Sequence, residues 1–268
     1  MEKVSFYDVH YRNNLNPHYK DIRNHVWGTQ DIGLTSFLST HQLDTFIQWL
    51  ALKPGMVILD ACCGNGAFTS YITQKSNSKS YGIDINKLSI EMANALHQQE
   101  KGSLEFLKGD LKEKLPFPNS SLDALVCLES IIHFSVVNRV SIFKEWHRVL
   151  KPGAKLIVTD PCIITGGISD TELAHRSIFG GYFFLPPGLQ ENLLRQNGFL
   201  IIDCEDTTKD NAAVITHRWW HSRENQRQEL KLTESEEELN QIQLFLWTCA
   251  QLYHDEKLTQ YAYYCERA

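Results

Sequence analysis

Val57-Ile58-Leu59-Asp60-Ala61-Cys62-Cys63-Gly64-Asn65-Gly66-Ala67-Phe68 reads as a buried β-strand ending in an acid, a glycine-containing turn and the start of a helix. Glycine has no Cβ and tolerates positive φ, so such a turn lets backbone N–H groups approach a ligand closely. Outward from this stretch the pattern repeats. Short apolar strands at 57–60, 80–84, 104–109, 124–128 and 155–159 alternate with helices at 67–74, 87–99 and 138–150. That alternation predicts an α/β fold, a parallel sheet covered on both faces. Upstream, Leu43, Phe46, Ile47 and Leu50 have helical spacing, and Lys53-Pro54-Gly55 ends that helix.

Three acids fall at expected strand ends: Asp60, Asp84 and Asp110. In an open parallel sheet, ligands bind beyond the carboxyl ends of the strands. Asp84 follows Gly64 by 20 residues, close to the spacing at which a second-strand carboxylate meets ribose hydroxyls. A carboxylate at Asp110 could accept a hydrogen bond from an exocyclic amine such as adenine's. A dinucleotide fingerprint would need a third glycine where Thr69 stands, which argues against a nicotinamide or flavin cofactor.

Composition narrows the class. The chain has 268 residues, 43% hydrophobic and 22% charged, with a formal net charge of −6. Such a balance suits an ordinary globular protein of one large domain and disfavours a nucleic-acid backbone as main partner. The seven cysteines include no CxxC pair, so neither a disulfide framework nor a structural zinc is expected, and a reducing, cytoplasmic location is. No apolar run approaches the ~18 residues of a membrane span, and the N-terminus lacks a signal-peptide pattern.

The combination resembles the class I S-adenosylmethionine-dependent methyltransferases. Their first motif, an acid followed by glycines at alternating positions, is matched by Asp60, Gly64 and Gly66, with Cys62 in place of the first glycine. Tyr81-Gly82-Ile83-Asp84-Ile85 resembles the second motif and Gly109-Asp110-Leu111 the third. Leu122 to Ser130, including Leu128, resembles the fourth strand and its sequel, and Arg148 to Val158 the turn before strand 5. The resemblance covers roughly residues 25–205. It implies a doubly wound, seven-stranded Rossmann-like sheet in the order 3-2-1-4-5-7-6, with residues 261–265 as the antiparallel strand 7. It implies S-adenosyl-L-methionine as cofactor, held by Asp60, Cys62, Gly64, Gly66, Asp84, Ile85, Asp110, Leu111 and Leu128.

Glu129-Ser130-Ile131-Ile132-His133-Phe134 resembles a segment of the small-molecule branch, which includes tocopherol, sterol and natural-product enzymes. Trp27-Gly28 resembles that branch's N-terminal segment, which closes over the cofactor's methionine end. Residues 1–40 are therefore expected to form a helical segment closing over the cofactor. Residues 41–268 form the methyltransferase domain, with helical lid insertions at about 161–188 and 210–258.

His133 is the candidate general base, since an imidazole titrates near neutral pH. Glu129 could orient it, contact the cofactor's ammonium end or stabilise a cationic transition state; a helix-start carboxylate is the plainer alternative. Phe179, Tyr182, Phe183, Trp219 and Trp220 could line an apolar acceptor pocket or simply bury the lid. His217, Arg218, His221 and Arg223 could hold an acid group on the acceptor but read better as a solvated helix face, and Glu234–Glu238 reads as a solvated helix or loop segment. The expected partner is a small-molecule methyl acceptor, with no nucleic acid or membrane, and the protein a monomer or homodimer. RNA or protein methylation and a non-catalytic scaffold are the competing readings.

Overall fold

The computed structural model describes residues 17–28, 31–100 and 102–268; the first sixteen residues of the expected closing segment, 1–40, lie outside them. Helices α1 (Pro17–Trp27) and α2 (Thr40–Leu50) precede the sheet. Then β1 (Val57–Ala61), α3 (Ala67–Ser76), β2 (Lys79–Asp84), α4 (Lys87–Leu96), β3 (Leu104–Lys108), β4 (Leu122–Cys127), α5 (Val136–Val149) and β5 (Leu150–Ile164) alternate. The chain continues through α6 (Asp170–Arg176), α7 (Leu189–Gln196), β6 (Phe199–Asp206), α8 (Ala213–Asn225), the single turn α9 (Arg227–Leu230), α10 (Glu236–His254) and β7 (Leu258–Arg267).

The seven strands run in the order β3-β2-β1-β4-β5-β7-β6, as expected. β1 to β5 pair in parallel, and β7 runs antiparallel to both β5 and β6. Period-2 alternation explains why the central strands are apolar throughout. Ile58, Ala124, Val126 and Ile157 face one layer with Phe46 and Phe68. Leu59, Leu125, Leu156 and Val158 face the other with Phe143 and Trp146. The chain leaves β1 towards β2 and later returns to β4 on its other side. This reversal opens a crevice at the carboxyl ends of β1 and β4.

Element boundaries differ where caps and partners decide them. Helix α5 starts at Val136, two residues before the expected start, because Ser135 accepts a hydrogen bond from Asn138 N–H (3.4 Å). β5 runs past its expected end at 159 because β7 gives it a partner from Lys155↔Glu266 to Ile164↔Leu258, with a bulge between Asp160 and Ile163, and it starts early at Leu150, which pairs with Leu122 of β4. The helix expected over 87–99 ends at Leu96 and gives way to a single 3₁₀ turn, Gln98–Glu100.

A separate core roofs the crevice. Tyr19, Ile22 and Val26 of α1 pack with Trp219 of α8 and Phe245 and Leu246 of α10. Among the described residues no helix is long and apolar enough to cross a membrane.

Candidate active site

A cavity of about 1380 Å³ occupies the crevice. The turn after β1 forms one wall. Cys62, Gly64 and Gly66 all have positive φ (65°, 55° and 76°), so the cysteine adopts the left-handed conformation that glycine favours. The turn is fixed to β2 because the N–H groups of Cys62 and Cys63 both donate to Ile83 O (2.8 and 3.1 Å). Gly66 starts α3 behind the wall, not on it. A Cβ there would lie 2.3 Å from the Phe106 ring, so glycine is needed for packing.

Asp84 joins the two loops at the strand ends. Its Oδ2 accepts from Gly64 N–H (2.9 Å) and its Oδ1 from Asn86 N–H (2.8 Å). The Ser89 side chain and the Ile85 N–H add further donors to this carboxylate, which lines the cavity. Asp60 is 4% exposed, and its Oδ2 accepts from Thr69 Oγ1 (2.7 Å). Thr69, where a dinucleotide site would need glycine, thus anchors this acid. Burial pushes the Asp60 carboxyl up to about 7, and burial also raises Asp84. The Cys62 thiol is held protonated by its hydrogen bond with the Cys127 thiol and by burial. Asp110 accepts from Lys112 N–H (2.9 Å) and pairs with Lys112 Nζ (3.1 Å). Ile85, 59% exposed, lines the cavity with Leu111 and Leu128 and supplies apolar surface beside the acids.

Glu129 holds the opposite wall. It has φ 53°, and its carboxylate accepts from Ser36 Oγ (2.6 Å), Phe37 N–H (3.1 Å) and Gln260 Nε2 (2.6 Å). Its own N–H donates to Thr159 Oγ1 (2.7 Å). The residue therefore pins the segment before α2 onto β5 and β7. Burial raises its carboxyl despite these donors. His133 follows on a 3₁₀ turn, Ile131–His133, 5.2 Å from the Tyr182 ring. Burial, with a smaller contribution from the Arg176 charge, lowers its imidazole to about 4.

This turn and the Tyr182 loop are tied together. Phe183 N–H donates to Ile132 O (2.8 Å). Buried Arg139 donates to Phe134 O and Phe183 O (3.0 and 3.2 Å) and pairs with Asp160 (2.6 Å).

Of the aromatic candidates, Tyr182 and Trp219 line the cavity. Phe179 packs on Phe245 (5.2 Å) and Trp220 on Trp247 (4.8 Å), while Phe183 is 43% exposed. Trp27 is buried edge-on against Trp219 (5.4 Å), one layer behind the cavity wall. Two solvated assignments need correction. Arg223 and Glu234 are 2% and 4% exposed and form a 2.6 Å ion pair, joined by Tyr19 Oη donating to Glu234 (2.7 Å). The signal was available in α8, where Ile215, Trp219 and Arg223 share one face at i, i+4 spacing. Arg176 was not singled out from the sequence, and it lines the cavity at 1% exposure. Among the described residues no cluster could hold a metal ion.

Residues 58–153 match a family model described as a methyltransferase domain. The chain is 29% identical over 184 residues to phosphoethanolamine N-methyltransferase 3 of Arabidopsis thaliana, covering 67% of this chain and 36% of that protein. It is 31% identical over 173 residues to the O-methyltransferase resE of Aspergillus sclerotiorum, covering 62% of each. The chain thus spans about a third of the plant relative's length. Among solved structures, the cyclopropane synthase MmaA2 of Mycobacterium tuberculosis superposes with a TM-score of 0.81 over 95% of this chain and 100% of that one, at 18% identity. A Haemonchus contortus phosphoethanolamine N-methyltransferase, solved with phosphomonomethylethanolamine and S-adenosylhomocysteine, gives 0.79 over 99% and 60%, also at 18%. The motif turn, the strand order and the family match agree: residues 58–153 form a methyltransferase domain, set in the strand order of the class I S-adenosylmethionine-dependent methyltransferase pattern.

Proposed function

We propose that this protein transfers a methyl group from S-adenosyl-L-methionine to a small, partly apolar metabolite. One observation carries the reading: at the end of β2 the Asp84 carboxylate, fixed by Gly64 N–H and Asn86 N–H, lines the cavity beside the turn after β1. That carboxylate, the buried acid Asp60 and the apolar surface of Ile85, Leu111 and Leu128 fit a ribose, a cationic amino-acid end and a planar base. Asp110 would accept from the base's amine. When bound, the cofactor supplies an activated methyl on a sulfonium, and in-line displacement needs mainly alignment and dryness from the protein.

The chain's own residues meet those needs. The α1–α8–α10 roof excludes water. His133, neutral above about pH 4, serves as proton acceptor from the methyl acceptor. Glu129 is a positioning residue that holds the segment before α2 in place. The described part of residues 1–40, from α1 onward, acts as the closing segment, and the insertions at about 161–188 and 210–258 as the lid. Seven free cysteines suit a cytoplasmic setting.

The test is calorimetric titration with S-adenosylmethionine and S-adenosylhomocysteine. Micromolar binding of both is expected. Absence of binding by folded protein would overturn the reading in favour of a scaffold.

A further inference from the structure

Four arginines are buried among the described residues: Arg23, Arg139, Arg176 and Arg223. Three hold a carboxylate, at 3.1, 2.6 and 2.6 Å respectively for Arg23–Asp31, Arg139–Asp160 and Arg223–Glu234. Arg176 holds none. It is 1% exposed, its Nη2 touches only the weak acceptor Cys162 Sγ (3.4 Å), and its Nε and Nη1 have no hydrogen-bond partner. The nearby acids are already engaged: Asp160 by Arg139, and Glu129 by Ser36, Phe37 and Gln260.

A buried guanidinium with idle donors is costly, and such groups normally pair. Its guanidinium carbon lies over two rings, Tyr182 and Phe245, 4.8 and 5.1 Å from their centroids. Contact with both rings limits the positions its donor fork can take, and an arginine fork matches planar or tetrahedral oxyanions bidentately. Arg176 ends α6, inside the insertion after β5, and lines the same cavity as His133.

We propose that Arg176 is a specificity-determining residue that binds an oxyanion group, phosphate or carboxylate, carried by the methyl acceptor. This rests on the methyltransferase reading above. The acceptor is then an amphiphile. Its acid meets Arg176, its apolar part lies along Tyr182 and Phe245, and its nucleophile points past His133 to the cofactor end of the cavity.

The test is calorimetry on protein saturated with S-adenosylhomocysteine, using hexyl phosphate, hexanoate, 1-hexanol and inorganic phosphate as probes. At least one hexyl acid should bind about tenfold or more tighter than hexanol, the size of one charge-assisted hydrogen bond. Which acid wins identifies the acceptor's group. Arg176→Met should abolish that preference, Arg176→Lys should keep part of it, and both should bind S-adenosylhomocysteine as the parent does. Equal binding of acids and hexanol overturns the proposal. So does a preference that survives in Arg176→Met, or inorganic phosphate binding as tightly as hexyl phosphate. Loss of S-adenosylhomocysteine affinity in the variants, with the acid preference unchanged, would assign Arg176 to the cofactor's carboxylate and also overturn it. Should both variants fail to fold, the wild-type comparison alone decides. Failure of S-adenosylhomocysteine to bind the wild-type protein would instead remove the methyltransferase reading itself.

Discussion

At Asp84, the N–H groups of Gly64 and Asn86 each donate to one carboxylate oxygen and fix the carboxylate at the cavity wall. Asp84→Ala should weaken binding of S-adenosylmethionine by about 2 kcal/mol or more, through lost charge-assisted hydrogen bonds. Calorimetry checks this, and unchanged affinity would separate Asp84 from the cofactor. His133 calls for a different measurement. Desolvation lowers its pKa to about 4, so the imidazole is already a free base at neutral pH. An NMR titration should place its midpoint near 4, and a midpoint near 6.5 would mean that the turn is solvated. Turnover should then show no rising limb near pH 6.5 from this group. His133→Ala should lower turnover and leave S-adenosylhomocysteine affinity unchanged. Cys62 departs most from the family motif, yet it takes φ 65°; the small side chain is accommodated without giving up the left-handed turn.

Between elements, Glu129 does the fastening. It joins the end of β4 to the segment before α2 and to Gln260 on β7. Glu129→Gln keeps the shape but turns one acceptor into a donor facing donors. A loss of roughly 1–3 kcal/mol is expected, as for a buried group left unsatisfied. Amide exchange of residues 31–39 should accelerate more than that of β1 or β4; uniform acceleration would mean Glu129 is not a local fastener. The strands and their terminal acids were legible in the sequence because one apolar run plus one turn defines each. The roof was not. Tyr19 and Glu234 meet across 215 positions, and a glutamate opening the polar run 234–238 gives no local sign that it alone is buried. Glu129 was visible as a motif residue, but its partners Ser36 and Gln260 lie on segments with no motif. Arg176 sits on a seven-residue helix whose capping box, Ser169 with Glu172, marks a helix start and says nothing of its buried end.

Across the molecule, the cavity carries titrations of opposite sign. Asp60 has its pKa raised to about 7 by burial. The folded protein therefore holds that proton where the unfolded chain has lost it. Its stabilising contribution is complete below the unfolded carboxylate range and disappears as pH rises through about 7. His133 runs the other way. Its pKa falls to about 4, so the unfolded chain binds a proton that the folded protein does not, and stability rises with pH from about 4 to the ordinary histidine value. At most the Asp60 contribution amounts to roughly 4–5 kcal/mol and the His133 contribution to roughly 3–4 kcal/mol, since one pKa unit is worth about 1.4 kcal/mol. In cofactor-free protein they oppose each other over most of that window and hide each other in a plain pH–stability curve. Variants separate them. The stability of the wild type relative to Asp60→Asn should fall steadily between pH 4 and 7 and then level off. Relative to His133→Asn, it should climb between pH 4 and 6.5 and then level off. Chemical denaturation at a series of pH values measures both differences. Two flat curves would mean that neither group is desolvated, and that the cavity is wetter and more open than its roof of α1, α8 and α10 implies.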